Sequence, residues 1–283
     1  MSKQTRFLLF LLTAACEPRV VDAVREPPPP VEVPVETPPK NPLASSLLHR
    51  YSFNGLGNVA HDSIGAAPGP IVNASLTGTG SLTLAGQHSL EYVNLPNDII
   101  SGLNDATFEA WLTWGGGGGP WQRIFDFGNS GGGEDMPVVI PGTTSSTYSG
   151  TTYLFLTANA ASDSNRGLEA GLRVAYSLKG VGDEDVCSGT ESLPTGVPTH
   201  VAVVVDSKAQ TIALYQDGAL LNECQLSRPL SDIDDVNNWL GRSNFTADAD
   251  LDASYDEFRI YTAALTAEQV ADSFKFGPDA KPL

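Results

Sequence analysis

The sequence has few cysteines, few basic residues and no long apolar run, and each shortage excludes a class of protein. Three cysteines in 283 residues are too few for a disulfide-scaffold miniprotein or a multi-zinc module. The chain has only 16 Lys and Arg but 33 Asp and Glu, which gives a net charge of −17. Because a nucleic-acid backbone requires basic patches, no nucleic-acid partner is expected. The apolar run at residues 7–12 is far shorter than the ~20 residues of a membrane-spanning helix.

What the sequence does contain favours a folded, loop-rich β protein. Hydrophobic residues make up 41% of the chain, which is enough for a sizeable core and excludes global disorder. The 28 Gly and 20 Pro are typical of many short strands joined by turns rather than of a helical protein.

The first sixteen residues have the pattern of an export signal. Lys3 and Arg6 precede the short apolar run, and Thr13-Ala14-Ala15-Cys16 follows it. This resembles a bacterial lipoprotein signal, which implies cleavage before Cys16 and acylation of that cysteine. The alternative is an ordinary secretory peptide with a chance cysteine. We therefore expect an exported cell-envelope protein, anchored by lipid to a membrane at the outer membrane or cell surface.

Residues 17–45 form a proline-rich segment. Pro27 to Pro30 are consecutive, and Val, Glu and Pro alternate through residues 31–36. Such a segment cannot build a core and favours extended polyproline II. We interpret it as a stalk that lifts a domain off the membrane, the alternative being a Pro-rich ligand for a partner domain.

Residues 46–276 are predicted to form one antiparallel β-sandwich, an all-β jelly roll, followed by a tail at 277–283. Residues 106–114 alternate with period two, which indicates a strand with one packed face. Asp217-Gly218 lies between two β-rich runs and predicts a hairpin. Thr266 and Gln269 have the spacing of a capping box and predict one short C-terminal helix.

Several segments, in family order, resemble laminin-G-like, concanavalin A-like jelly rolls. They are residues 48–55, 106–111, 121–128, 200–206, 238–245 and 255–261. The resemblance implies a concanavalin A-like sandwich in a family that is mostly non-catalytic. Its members occur on secreted or surface proteins, often beside carbohydrate-active enzymes.

No catalytic residue is assigned. Some concanavalin A-like folds are glycoside hydrolases that carry closely spaced acids on one strand, and a retaining pair needs carboxyls about 5–5.5 Å apart. The sequence contains no Glu-x-Asp-x-Glu run and no Gly-x-Ser-x-Gly elbow, and its four His are scattered. We predict that the protein is not an enzyme, with a glycoside hydrolase or lyase as an alternative.

Two cysteines remain if Cys16 carries lipid. Cys187 and Cys224 would then be free to pair, since disulfides persist in an exported protein. Two separate buried thiols are the alternative.

The resemblance also implies one structural calcium between the first and last strands. Carried over residue by residue, its ligands are Asn54, Asp62 and Asp256. Calcium prefers such oxygen ligands. The alternative is that these are turn residues on an acidic surface.

Exposed aromatic faces are where sugars stack, and three residues are candidates for ligand binding. Trp114 and Trp121 flank a run of five glycines, and Tyr148 lies in a long Gly/Ser/Thr insert at 129–150. Long loops on a rigid sandwich often carry recognition. Packing roles for Trp114 and Trp121 are the alternative.

The predicted function is a non-catalytic envelope module that binds carbohydrate, the alternative being a protein-interaction or adhesion module. The partner is thus a glycan or an envelope or extracellular protein.

Overall fold

The computed structural model describes residues 42–136 and 147–280. Cys16, the signal segment and most of the proline-rich segment lie outside the described residues. Two helices are described, α1 at Pro42–Ser46 and α2 at Ala267–Phe276. The strands, in chain order, are β1 (Leu47–Tyr51), β2 (Leu56–Gly57), β3 (Val59–Ala60), β4 (Gly69–Val72), β5 (Leu76–Thr77), β6 (Leu82–Gln87), β7 (Tyr92–Leu95), β8 (Ala106–Trp114), β9 (Arg123–Ser130), β10 (Gly150–Ala160), β11 (Gly171–Ser177), β12 (Asp185–Ser188), β13 (Pro198–Asp206), β14 (Thr211–Gln216), β15 (Ala219–Gln225), β16 (Asn237–Leu240) and β17 (Asp250–Tyr261).

Two antiparallel sheets contain nearly all of these strands. The first sheet has the order β1-β17-β8-β13-β14-β15, and β6 pairs with the first half of β17 while β1 pairs with its second half. The second sheet has the order β12-β11-β10-β9-β16-β7-β4-β3. Strands β2 and β5 form a separate pair. This confirms the predicted antiparallel β-sandwich.

The main hydrophobic core draws on both sheets, and the strand alternation is the reason. On β8, Phe108, Ala110, Leu112 and Trp114 are buried in this core, as predicted from the period-two pattern. Phe108 packs against Phe125 and Phe127 of β9, with ring centroids 5.3 and 5.7 Å apart. Burying one such side chain contributes about 1.5–3 kcal/mol.

The folded part is longer at both ends than the predicted 46–276. Leu43 in α1 is buried in a second cluster with Tyr261 and Val270. At the other end, Arg259 Nη2 donates to the carbonyl oxygens of Gly277 (3.1 Å) and Ala280 (2.9 Å). The first turn before β1 and the start of the predicted tail therefore belong to the domain.

The predicted capping box is present at the start of α2. Gln269 N donates to the Thr266 hydroxyl, and Thr266 N donates to the Gln269 side chain. The helix ends at Phe276 and is capped by Gly277, whose φ of 78° favours glycine. None of the helices in the described residues has the length and apolarity needed to cross a lipid bilayer.

A disulfide joins Cys187 to Cys224, which confirms the predicted pairing. Cys187 lies on β12, an edge strand of the second sheet, and Cys224 lies on β15, an edge strand of the first. The bond therefore ties the two sheets together along one side of the sandwich.

Loss of this bond is expected to lower the free energy of unfolding by roughly 4 kcal/mol, because it closes a loop of 37 residues. Urea unfolding of the wild type with and without reductant measures the effect. A C187A/C224A variant should match the reduced protein, whereas C16A, which leaves the bond intact, should unfold like the wild type. An unchanged midpoint on reduction would contradict the expectation.

Candidate functional site

The outer face of the second sheet carries two adjacent rows of side chains. Paired positions across the strands place Trp239, Asp126, Phe155, Ala175 and Val186 in one row. The neighbouring row contains Arg123, Thr157, Arg173 and Ser188. Since alternate residues of a strand face opposite sides, both rows point away from the core.

A β-bulge brings Arg123 to this outer face. The pairing of β9 with β10 skips one residue, so Leu156 faces Phe125 while Thr157 faces Arg123. The skipped residue, Ile124, is buried in the core. Bulges change the direction of side chains in this way. Strict alternation would point residue 123 into the core, whereas the bulge points the Arg123 side chain to the outer face.

Arg123 is the centre of a buried polar network. Its Nε donates to Asp126 Oδ2 at 3.3 Å and its Nη2 donates to Asp248 Oδ2 at 2.8 Å. Asp126 also accepts from the backbone and side-chain nitrogens of Asn244, both at 2.9 Å. The Arg123 guanidinium lies 3.8 Å from the centroid of the Phe155 ring. The two carboxylates therefore neutralise the guanidinium along its edges, and the Phe155 ring covers one of its faces.

Trp121 stands beside this network in a strained conformation. Its φ is 71°, in the left-handed region that a bulky residue rarely adopts. Its N–H donates to the carbonyl of Asn159 at 2.7 Å, and its own carbonyl accepts from Arg123 Nη1 at 2.8 Å. These bonds hold a conformation that costs of order 1–3 kcal/mol, and such strain clusters at functional sites.

The glycine run before Trp121 supports this position by packing tightly on β17. The backbone N–H groups of Gly115 and Gly117 donate to the carbonyl and the carboxylate of Asp252, at 2.7 and 3.3 Å. A Cβ on Gly115 would collide with that carboxylate. The glycines therefore allow the loop to approach β17 closely.

A cavity of about 260 Å³ opens above these residues. Its floor is formed by Arg123, Phe155, Arg173 and Ala175, and Trp121 and Phe245 stand at its sides. The remaining lining residues come from loops: Asp163, Arg166, Val181, Glu184 and Asp248. The cavity therefore combines aromatic faces with both donors and acceptors.

Burial shifts the pKa values of three groups at this site. It raises the pKa of the Asp126 carboxyl, although Arg123 and Asn244 oppose the rise. It likewise raises the pKa of Asp248 against the effect of Arg123. Burial, followed by the neighbouring Arg166 cation, lowers the pKa of Arg173. The ionisation of these groups thus depends on burial and on the charges beside them.

Of the three predicted ligand-binding aromatics, the structure brings one into the cavity. Trp121 is half-buried and lines it. The prediction for Trp114 is wrong, because this side chain is 5% exposed within the core and its Nε1 donates to Gln122. Tyr148 bonds through its backbone to Thr246, next to Phe245, but its side chain does not line the cavity. Residues 137–146 of the same insert lie outside the described residues.

The residues predicted to hold calcium do not fit a calcium centre. The Asp62 carboxylate already accepts five hydrogen bonds, from His49 Nδ1 and from the backbone nitrogens of Arg50, Ile64, Gly65 and Ala67. Such donors occupy the lone pairs that a cation would need. Asn54 instead donates a hydrogen bond to Asp279. The pKa of Asp256 is raised, mainly by burial and secondarily by the charge of Asp279. Within residues 42–136 and 147–280, no group of three or more His, Cys, Asp or Glu is arranged to hold a metal.

Of the eleven residues that line the cavity, the sequence predicted only Trp121 as a site residue, and those missed include Arg123, Phe155, Arg173 and Phe245. A signal for Arg123 exists: it precedes the alternating apolar run of β9, where a charged residue needs a buried partner. Phe245 closes one of the segments that resemble the family. Phe155 and Arg173 lie in strands whose outer face is buried under loops, which their local pattern does not reveal.

Residues 88–271, more than half of the chain, match the family model described as the concanavalin A-like lectin/glucanases superfamily. The chain belongs to this superfamily. A search of curated proteins found no significant match.

Solved structures agree with this concanavalin A-like fold. Domain 4 of AbnA, a GH43 extracellular arabinanase from Geobacillus stearothermophilus, in complex with arabinotriose, is similar with a TM-score of 0.53 and 17% identity, over 80% of this chain and 97% of that one. The Trypanosoma rangeli sialidase in complex with a difluoro-KDN compound is similar with a TM-score of 0.55 and 17% identity, over 86% of this chain. This chain spans only 36% of the sialidase. At these identities the likeness shows the fold alone.

Replacing Arg123 with Gln is expected to lower the free energy of unfolding by about 3–5 kcal/mol, because it leaves buried Asp126 without its cation. Arg166→Gln is the matched control. Its pair with Glu184 is more exposed, at 35% and 10% of the two side chains, so a loss below about 1 kcal/mol is expected. Chemical unfolding of both variants tests this, and equal losses would contradict it.

Proposed function

We propose that this protein is a non-catalytic carbohydrate-binding module and that the cavity beside Trp121 is its glycan site. The observation that supports this most strongly is the partly exposed Trp121 ring at the edge of a cavity with charged donors and acceptors on its floor and rim. An aromatic face covers the apolar side of a sugar ring, and a few placed polar groups fix its hydroxyls. The arabinanase domain similar to this chain was solved with arabinotriose.

The charged groups of the cavity support binding rather than hydrolysis. Asp248 is held by Arg123 and by Ser243 at 3.0 Å. Glu184 accepts from Tyr153 at 2.6 Å and pairs with Arg166. A glycosidase needs one carboxyl to give a proton and a second to act as base or nucleophile. Asp248 and Glu184 are each paired with an arginine, and such carboxylates are suited to accept hydrogen bonds from the hydroxyl groups of a bound sugar.

Trp121→Ala is expected to weaken glycan binding at least tenfold, which corresponds to about 1.4 kcal/mol, because it removes the stacking surface. A glycan array followed by calorimetric titration of the bound oligosaccharide measures this. Phe276→Ala is the control, since this side chain is 55% exposed on α2 outside the cavity.

The same incubations separate the competing functions. Mass spectrometry should recover the oligosaccharide intact, and a defined cleavage product would make the protein an enzyme. An array without binding, combined with capture of an envelope protein that W121A also captures, would favour the protein-interaction alternative.

We also propose that the module is displayed in the cell envelope on a lipidated Cys16. The lipoprotein-like signal supports export, and so does the disulfide, since such bonds persist outside the reducing cytosol. Several acyl chains on one residue would anchor the chain stably.

Intact-mass spectrometry of the membrane fraction is expected to show a chain that begins at acylated Cys16. Cys16→Ser should appear in the soluble fraction. An unmodified Cys16 in a full-length product would contradict the anchor without affecting the glycan site.

A further inference from the structure

The three arginines of the cavity differ in how their charge is balanced. Arg123 has Asp126 and Asp248 as partners, and Arg166 has Glu184. Arg173 is 3% exposed, yet it has no carboxylate within 4.0 Å among the described residues. A buried cation without a counter-ion is costly, so an unbalanced charge at a binding site calls for a partner.

Two neutral acceptors fix the Arg173 guanidinium without neutralising it. Nε donates to the hydroxyl of Ser188 at 2.8 Å, and Nη2 donates to the carbonyl of Glu169 at 2.6 Å. Nη1 has no hydrogen-bond partner within the described part of the chain. The group is therefore oriented in advance, with one nitrogen left for a ligand of the cavity that it lines.

The acids on the cavity do not supply the missing charge. Glu184 is engaged by Tyr153 and Arg166, and Asp248 by Arg123 and Ser243. Asp163 is only partly buried and accepts from the backbone of Asn165 at 3.0 Å. Glu184 and Asp163 raise the pKa of Arg173, but burial and the Arg166 cation outweigh them and lower it.

Arg173 also lies beside the proposed stacking surface. Its guanidinium carbon is 5.5 Å from the centroid of the Trp121 ring. A sugar on Trp121 would therefore hold its ring substituents within reach of the free nitrogen, and a guanidinium recognises an oxyanion with directed, charge-assisted hydrogen bonds.

We propose that the glycan bound in this cavity carries an anionic substituent, a carboxylate or a sulfate ester, that pairs with Arg173. This inference rests on the proposed glycan site and specifies its ligand class. The anion neutralises the one buried cation of the cavity that lacks an acid, while Trp121 and the two arginine–acid pairs contact the rest of the sugar.

The test uses the whole chain and an array of matched oligosaccharides. One arm pairs uronic-acid oligosaccharides, such as trigalacturonate, with their methyl esters, and the other pairs sulfated oligosaccharides with the desulfated forms. We expect at least tenfold weaker binding for the neutral member in one arm, and that arm identifies the anion. Neutral members that bind as tightly as the anionic ones would overturn the inference but keep the glycan site. Failure of every oligosaccharide to bind would overturn both.

Variants locate the effect on Arg173. Arg173→Gln should abolish the preference for the anionic member, and Arg173→Lys, which keeps the charge but loses the planar fork, should retain part of it. Lys208→Gln is the charge-matched control, because this exposed residue lies outside the cavity. Circular dichroism establishes that each variant is folded. A preference that survives in folded R173Q, or an equal loss in K208Q, would overturn the assignment to Arg173.

Discussion

The outer face of the second sheet depends on the buried cation of Arg123. It joins Asp126 of its own strand to Asp248, which lies 125 residues after Arg123 in the chain. It also contacts the ring of Phe155 and the carbonyl of Trp121. The loop that carries Trp121, the loop that carries Asp248 and the sheet itself are therefore positioned by one guanidinium. Because burying an ion pair costs desolvation energy, the main contribution of this pair is the geometry that it fixes.

The two outer faces of the sandwich are used differently. On the first sheet, Glu109 and Arg259 lie under α2, where Ser273 donates to Glu109 at 2.7 Å and Arg259 binds the chain after the helix. The C-terminal segment packs on that face and, with Trp111 and His200, lines a smaller cavity of about 180 Å³. On the second sheet only loops cover the polar residues, and a cavity remains between them. The disulfide ties β12 to β15 of the first sheet, and β12 in turn pairs with β11, which carries Arg173.

Features encoded over short stretches could be predicted from the sequence. The alternation of β8, the Asp217-Gly218 hairpin and the Thr266 cap each depend on neighbouring residues, and the structure contains all three. The position of Trp121 could not be predicted. Trp114 ends the inward series of β8, whereas Trp121 follows a glycine loop and is set by contacts with Asn159 and Arg123. The partners of Arg123 also depend on a bulge and on a loop distant in sequence, which no local pattern encodes.

The net charge of −17 bears on how an anionic glycan would reach Arg173. An acidic surface repels such a ligand at long range, and salt screens this repulsion because exposed charges interact over only about 8 Å at physiological ionic strength. The attraction of Arg173, which is 3% exposed, is screened much less, because buried charges are screened less than exposed ones. The surface therefore slows encounter, while the cavity holds a ligand once it has entered. Affinity at this site would depend mainly on the dissociation rate, and raising the salt concentration would speed association more than it weakens the bound pair.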